Sequence, residues 1–285
     1  MTIAGFSQVA VIGAGQMGSG IAQVLATAGL KVKLTDVNQA ALENAKNQIK
    51  KSLDKLLQKE VITAAIHKQT HDHIEYAGAL DSLKTADIVI EAAVEKAAIK
   101  SEIFQKLDEI CPPSTVFATN TSSIPITHLA AKTKRADRFI GMHFMNPVPL
   151  MKLVEIIPGM ATSDETTARV TELAEKAGKT VVKSKDFPGF IVNRVLMPMI
   201  NEAFHTLHQG IASAEDIDNG MKLGCNQPMG PLTLADFIGL DTCLSIMQVM
   251  HEGLGDSKYA PCPLLKQYVA AGYLGFKVKR GVYRY

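Results

Sequence analysis

The chain has 285 residues, 47% of them hydrophobic and 20% charged, which allows one large or two ordinary domains and excludes a disordered, collagenous or disulfide-scaffold protein. With 30 basic and 28 acidic side chains the formal charge is +2, so no nucleic-acid partner is expected. No apolar run reaches the ~20 residues of a membrane helix, and Met1–Gly15 lacks the shape of a signal peptide, so the expectation is a soluble cytoplasmic protein with no membrane partner and reduced thiols at Cys111, Cys225, Cys243 and Cys262.

Short β-branched runs alternate with helical patterns through the first two thirds of the chain. Strands are predicted at Gln8–Gly13, Lys31–Asp36, Ile88–Glu91, Val116–Thr119, Phe139–His143, Leu153–Ile157 and Thr180–Val182. Between them the spacing predicts helices at Met17–Ala28, Gln39–Lys59, Ala97–Glu109, Ile126–Lys132 and Glu165–Ala177. Such alternation makes βαβ units and a mostly parallel sheet. After Lys185 the turn residues Asp186-Phe187-Pro188-Gly189 intervene and strands stop; helices are predicted at Ile191–Gln209, Ala214–Leu223, Leu232–Glu252 and Pro263–Ala271. The expected architecture is therefore an α/β domain over residues 1–185 and an all-α domain over residues 186–285.

The run Gly13-Ala14-Gly15-Gln16-Met17-Gly18 fits G-x-G-x-x-G, follows an apolar strand and opens a helix. The first glycine allows the tight turn, the second a close approach of a pyrophosphate, and the third helix–strand packing. Asp36 ends the second strand where an acid would accept ribose hydroxyls, and no Arg or Lys follows at once, which favours NAD over NADP. These features predict a Rossmann-type dinucleotide-binding domain. The competing reading is a glycine-rich turn without a ligand.

His143 ends an apolar strand, Asn146-Pro147-Val148-Pro149 must leave the ladder, and a strand resumes through Glu155. If the chain folds back near Pro149, His143 and Glu155 lie about equally far from the bend and meet as an acid/base dyad. A strand histidine capped by backbone, with a surface glutamate, is the alternative. The cluster Thr119-Asn120-Thr121-Ser122-Ser123 follows another strand at the carboxyl end, where α/β ligands bind, or is only a turn and helix cap. Asn193, set in an apolar helix start, satisfies backbone or faces an interdomain cleft. Ser52, Lys55 and Lys59 share one helix face, either a solvated basic stripe or a handle for an anionic tail.

Taken together these segments resemble the short-chain L-3-hydroxyacyl-CoA dehydrogenases. The resemblance runs through Val11–Ala22, Ile90–Glu95, Thr119–Ser123, Gly141–Pro149, Met151–Glu155, Pro188–Arg194 and Met221–Pro231, in order along essentially the whole chain. It implies NAD-dependent oxidation of a short-chain (S)-3-hydroxyacyl-CoA to the 3-ketoacyl-CoA, and the reverse, with the acyl-CoA between the two domains. His143 matches the family's catalytic base and Glu155 its partner, while Ser122 and Asn193 match groups that hold the reacting oxygen and thioester. Asp36, Glu95, Lys100, Asn146 and Lys277 match cofactor contacts, joined by Asn120 and Ser122 in the cluster beside the nicotinamide, and Ser52 and Lys59 match contacts to the CoA part. The tail from Phe276 to Tyr283 departs from the family pattern around Lys277. A homodimer through the helical domain is also expected, because its helices carry more apolar residues than one face needs. Two rival readings are a dehydrogenase of a related non-CoA hydroxyacid or sugar acid, and a non-catalytic NAD-binding structural protein.

Overall fold

The computed structural model describes residues 1–285 and contains two compact units, Met1–Phe187 and Pro188–Tyr285. The first unit runs β1 (Gln8–Ile12), α1 (Gln16–Thr27), β2 (Lys31–Thr35), α2 (Gln39–Gln58), α3 (Ala64–Asp72), β3 (Ile74–Ala77), β4 (Ile88–Glu91) and α4 (Ala97–Ile110). It continues with β5 (Val116–Thr119), α5 (Ile126–Ala130), β6 (Phe139–Phe144), β7 (Leu153–Pro158), α6 (Asp164–Lys176) and β8 (Thr180–Lys183). The eight strands form one sheet in the order β3-β2-β1-β4-β5-β6-β7-β8. Every neighbouring pair is parallel except β6 and β7, which are antiparallel. This is the α/β Rossmann-type fold with a mostly parallel sheet.

The inner strands are apolar because helices cover both faces: Val9, Val11, Ile88, Ile90, Val116 and Ala118 are all buried. Helix α2 adds one apolar stripe, Leu42, Ala45, Ile49 and Leu53, and leaves its other faces polar. Its Asn38 cap accepts from the Ala40 and Ala41 amides.

Two elements of this unit have no counterpart in the sequence reading, α3 and β3. Helix α3 buries only Thr70, and β3, at the sheet edge, buries only Ile74. Neither shows the apolar period by which an element is recognised.

The second unit is helical: α7 (Val192–His208), α8 (Ala214–Gly224), α9 (Pro231–Ile238), α10 (Leu240–Leu254) and α11 (Pro263–Ala270). Its core joins Met197, Ile200, Phe204, Leu232, Leu240, Met247 and Leu265. The single helix expected over Leu232–Glu252 is in fact two, bent by 96° at Gly239. Gly239 has φ +101°, a conformation open to glycine that cannot continue a right-handed helix. The apolar pattern runs through the break because both helices face the same core. No single helix is long and apolar enough to cross a membrane.

Two buried carboxylates tie down the tail of this unit. Asp236 accepts from the Val282 and Tyr283 amides at 2.9 Å each and from the Tyr285 hydroxyl at 3.1 Å. Asp218 accepts from the Leu232 amide at 2.8 Å and the Tyr283 hydroxyl at 2.9 Å. Burial pushes the Asp236 carboxyl above its ordinary pKa, against the lowering effect of its hydrogen bonds.

Candidate active site

Strands β1, β4, β5 and β6 are parallel, so Gly13, Glu91, Asn120 and His143 all come to the carboxyl edge of the sheet, where ligands of open α/β sheets bind. At Gly13 φ is +98°, and a Cβ there would stand 2.5 Å from the Ala92 carbonyl oxygen. A Cβ at Gly18 would collide with the Gly13 oxygen, so this glycine lets α1 close on β1. Above Gly15 the space is open, with no atom within 4 Å of the Cβ position. Gly15 is also the N-cap of α1 and supplies no side-chain cap, while Ala14, Gln16 and Met17 complete the turn. An uncapped helix start with room above its glycine fits the pyrophosphate of a dinucleotide. Asp36 orients the turn: Oδ2 accepts from the Ala14 amide and Oδ1 from the Asn38 amide, each at 2.8 Å.

Beside this turn lies a polar network centred on two glutamates. Glu91, wholly buried at the end of β4, receives Lys100 Nζ at 2.6 Å, the Ala93 amide at 2.6 Å and the Thr119 hydroxyl at 2.6 Å. Lys100 is 1% exposed and therefore spends its charge inside the protein, with Glu95 Oε2 as a second partner at 3.3 Å. Glu95 Oε1 gathers the Thr121 hydroxyl (2.6 Å), the Ser122 amide (2.8 Å) and hydroxyl (3.1 Å), and the Ser123 hydroxyl (3.0 Å). Burial acts to raise the Glu95 pKa, but the Lys100 ammonium and these hydrogen bonds outweigh it and hold the carboxyl below its ordinary value. Asn120 Oδ1 accepts from the Phe144 amide at 2.8 Å and so joins the Thr119–Ser123 turn to the end of β6.

His143 and Glu155 are direct cross-strand partners in the antiparallel β6–β7 pair. His143 Nδ1 lies 2.7 Å from Glu155 Oε2; the glutamate is wholly buried and the histidine 7% exposed. The fold-back between them carries Asn146, which with Gln16, Ser52 and Pro147 lines a crevice of about 130 Å³ between α1, α2 and this loop. The structure thus gathers the glycine turn, Asp36, Glu95, Lys100, Asn120, Ser122, His143, Glu155, Asn146 and Ser52 within one unit.

Of the remaining candidates, Lys59 is in the same unit and Asn193 and Lys277 are in the helical unit. Lys59 is exposed just past the end of α2 and does not line the crevice. Asn193 is buried in the first turn of α7, in the helical unit. Lys277, also in that unit, is held by both carboxylate oxygens of Asp241 at 2.6 Å, an ion pair the sequence reading did not foresee. Glu91 was missed as a site residue; the signal for it was an acid closing the otherwise apolar strand Ile88-Val89-Ile90-Glu91.

Comparison with known proteins gives this geometry its context. Residues 8–187 match the family described as 3-hydroxyacyl-CoA dehydrogenase, NAD binding domain, and residues 189–285 match its C-terminal domain. The chain is 55% identical over 278 residues to a 3-hydroxybutyryl-CoA dehydrogenase of Bradyrhizobium diazoefficiens, covering 98% of this chain and 95% of the relative. To the 3-hydroxybutyryl-CoA dehydrogenase of Clostridioides difficile it is 48% identical, covering 98% and 99%. The crystal structure of (S)-3-hydroxybutyryl-CoA dehydrogenase from Ralstonia eutropha superposes with a TM-score of 0.95 at 51% identity, covering 98% of this chain and 99% of that one. With both domain types present in order and relatives aligned over 98% of its length, the chain belongs to the 3-hydroxyacyl-CoA dehydrogenase family.

Proposed function

We propose that the protein interconverts short-chain (S)-3-hydroxyacyl-CoA, such as 3-hydroxybutyryl-CoA, and the corresponding 3-ketoacyl-CoA with NAD, using His143 as acid/base and Glu155 as its partner. The observation that carries this reading is the buried 2.7 Å contact between the imidazole and the carboxylate at the ligand edge of a dinucleotide-type sheet. The cofactor, when bound, supplies hydride acceptance and donation at its nicotinamide. With Glu155 ionised, its oxygen accepts from Nδ1–H, which leaves Nε2 unprotonated and able to take a proton from the substrate. In oxidation Nε2 removes the 3-hydroxyl proton, and the neighbouring negative charge stabilises the imidazolium that forms. Ser122, whose amide and hydroxyl are held by Glu95, presents its oxygen from a fixed turn at the same edge. The likeness to relatives named 3-hydroxybutyryl-CoA dehydrogenase supports a CoA thioester over a free hydroxyacid.

The test is NADH oxidation with acetoacetyl-CoA, run in parallel with free acetoacetate. Turnover of the thioester alone is the expected result, and equal rates with the free acid would overturn the CoA assignment. We also propose that the protein is a homodimer through its helical unit, a reading supported by exposed Val195, Ile211, Leu223 and Phe237 on that unit. Sedimentation equilibrium should return twice the chain mass; a monomer at micromolar concentration contradicts it.

A further inference from the structure

Lys179 stands just before β8 and is 8% exposed, yet its partners are carbonyls and not a carboxylate. Its Nζ donates to the Val148 oxygen at 2.6 Å and the Met151 oxygen at 2.8 Å. Burial pulls its pKa below the ordinary lysine value. An ammonium is an expensive group to set in an interior, and methionine would fill the same volume without that cost. What the charge achieves here is geometric. It draws two carbonyls of the β6–β7 connection to one point, while the Leu150 and Met151 amides both donate to the Pro147 oxygen at 3.0 Å. From the opposite side α1 closes on the same loop, since a Cβ at Gly20 would stand 2.8 Å from the Val148 Cβ. Val148 itself is buried between them. The residue two positions earlier, Asn146, thereby comes to line the crevice with Gln16 of the glycine turn.

We propose that Lys179 is a positioning residue for the dinucleotide, acting through the Val148 and Met151 carbonyls to hold the Asn146 loop against the glycine turn; this rests on the dehydrogenase reading above. The ammonium touches neither the turn nor His143, so its loss should act on binding and leave the chemical step nearly intact.

The test is fluorescence titration of NADH into wild type, Lys179→Met and Lys179→Gln, with steady-state kinetics and amide exchange on each. Losing charge-assisted hydrogen bonds to the loop should raise the NADH Kd of Lys179→Met ~10-fold. The KM for NADH should rise in step, with kcat at saturation within about twofold of wild type. Faster exchange should be confined to residues 146–152. Lys179→Gln, which keeps two N–H donors, should fall between the two, and serves as the readout if the methionine variant does not fold. Wild-type Kd in a folded variant overturns the proposal. So does a joint loss of kcat and affinity with exchange raised throughout the unit, or failure of both variants to fold, since each describes a residue that only stabilises. A wild-type protein that binds no NADH overturns the dehydrogenase reading itself, and this inference with it.

Discussion

His143→Gln should lower kcat for acetoacetyl-CoA reduction by about 10³-fold, or ~4 kcal/mol of barrier, while the NADH Kd stays within about twofold of wild type. Glutamine retains a polar group of similar reach, so the 3-oxygen can still be held. It has no nitrogen that can take up and give back the proton, so the proton has to come from water. The split between turnover and affinity follows from position. The histidine sits on β6, whereas the dinucleotide turn belongs to β1, α1 and Asp36. Stopped-flow turnover and a binding titration on the same preparation decide the matter, and near-normal kcat would remove His143 as the proton carrier.

Glu91→Ala is expected to produce the largest loss of stability, about 3–5 kcal/mol, because it strands a buried lysine. Lys100 would keep only Glu95 at 3.3 Å and the Ala93 carbonyl at 3.4 Å. The Ala93 amide and the Thr119 hydroxyl would lose their acceptor at the same time. Combining Glu91→Leu with Lys100→Met should recover the part of the loss that comes from the stranded charge, but not the part from the Ala93 amide and the Thr119 hydroxyl, which still lack their acceptor. The partly recovered double variant should still bind NADH poorly, because Glu95 then lacks the ammonium that favours its ionised form and the Ser122 turn loosens. Urea melts of the wild type, the single variant and the double variant read the first effect. A single variant within 1 kcal/mol of wild type would show that Lys100 finds water or another partner.

The parts of this structure that were legible in the sequence share one property: local backbone demands fix them. The strand–glycine–helix start at Gly13–Gly18 follows from steric rules acting over six residues, and the burial of β1, β4 and β5 follows from their apolar runs. His143 and Glu155 could be paired in advance because a hairpin brings together residues equidistant from its bend. Distance along the chain explains what escaped notice. The partners of Glu91 and Lys179 emerge only when the strands that bury them are assembled. The Lys277–Asp241 pair spans 36 positions and depends on how the tail returns to α10. The break at Gly239 was hidden for a different reason: the apolar period on its two sides stays in phase, and only the backbone of one glycine, at φ +101° and ψ +124°, separates two helices from one.

The antiparallel pairing of β6 with β7 carries an implication for how this sequence can change. Side chains alternate between the faces of a strand with period two, so parity governs whether Glu155 reaches the imidazole. Inserting or deleting one residue between Leu153 and Glu155 would swing the acid to the opposite face of the sheet, with every side chain unaltered in chemistry. Substitutions elsewhere in β7 leave that parity untouched. Along this short stretch, counting matters more than spelling.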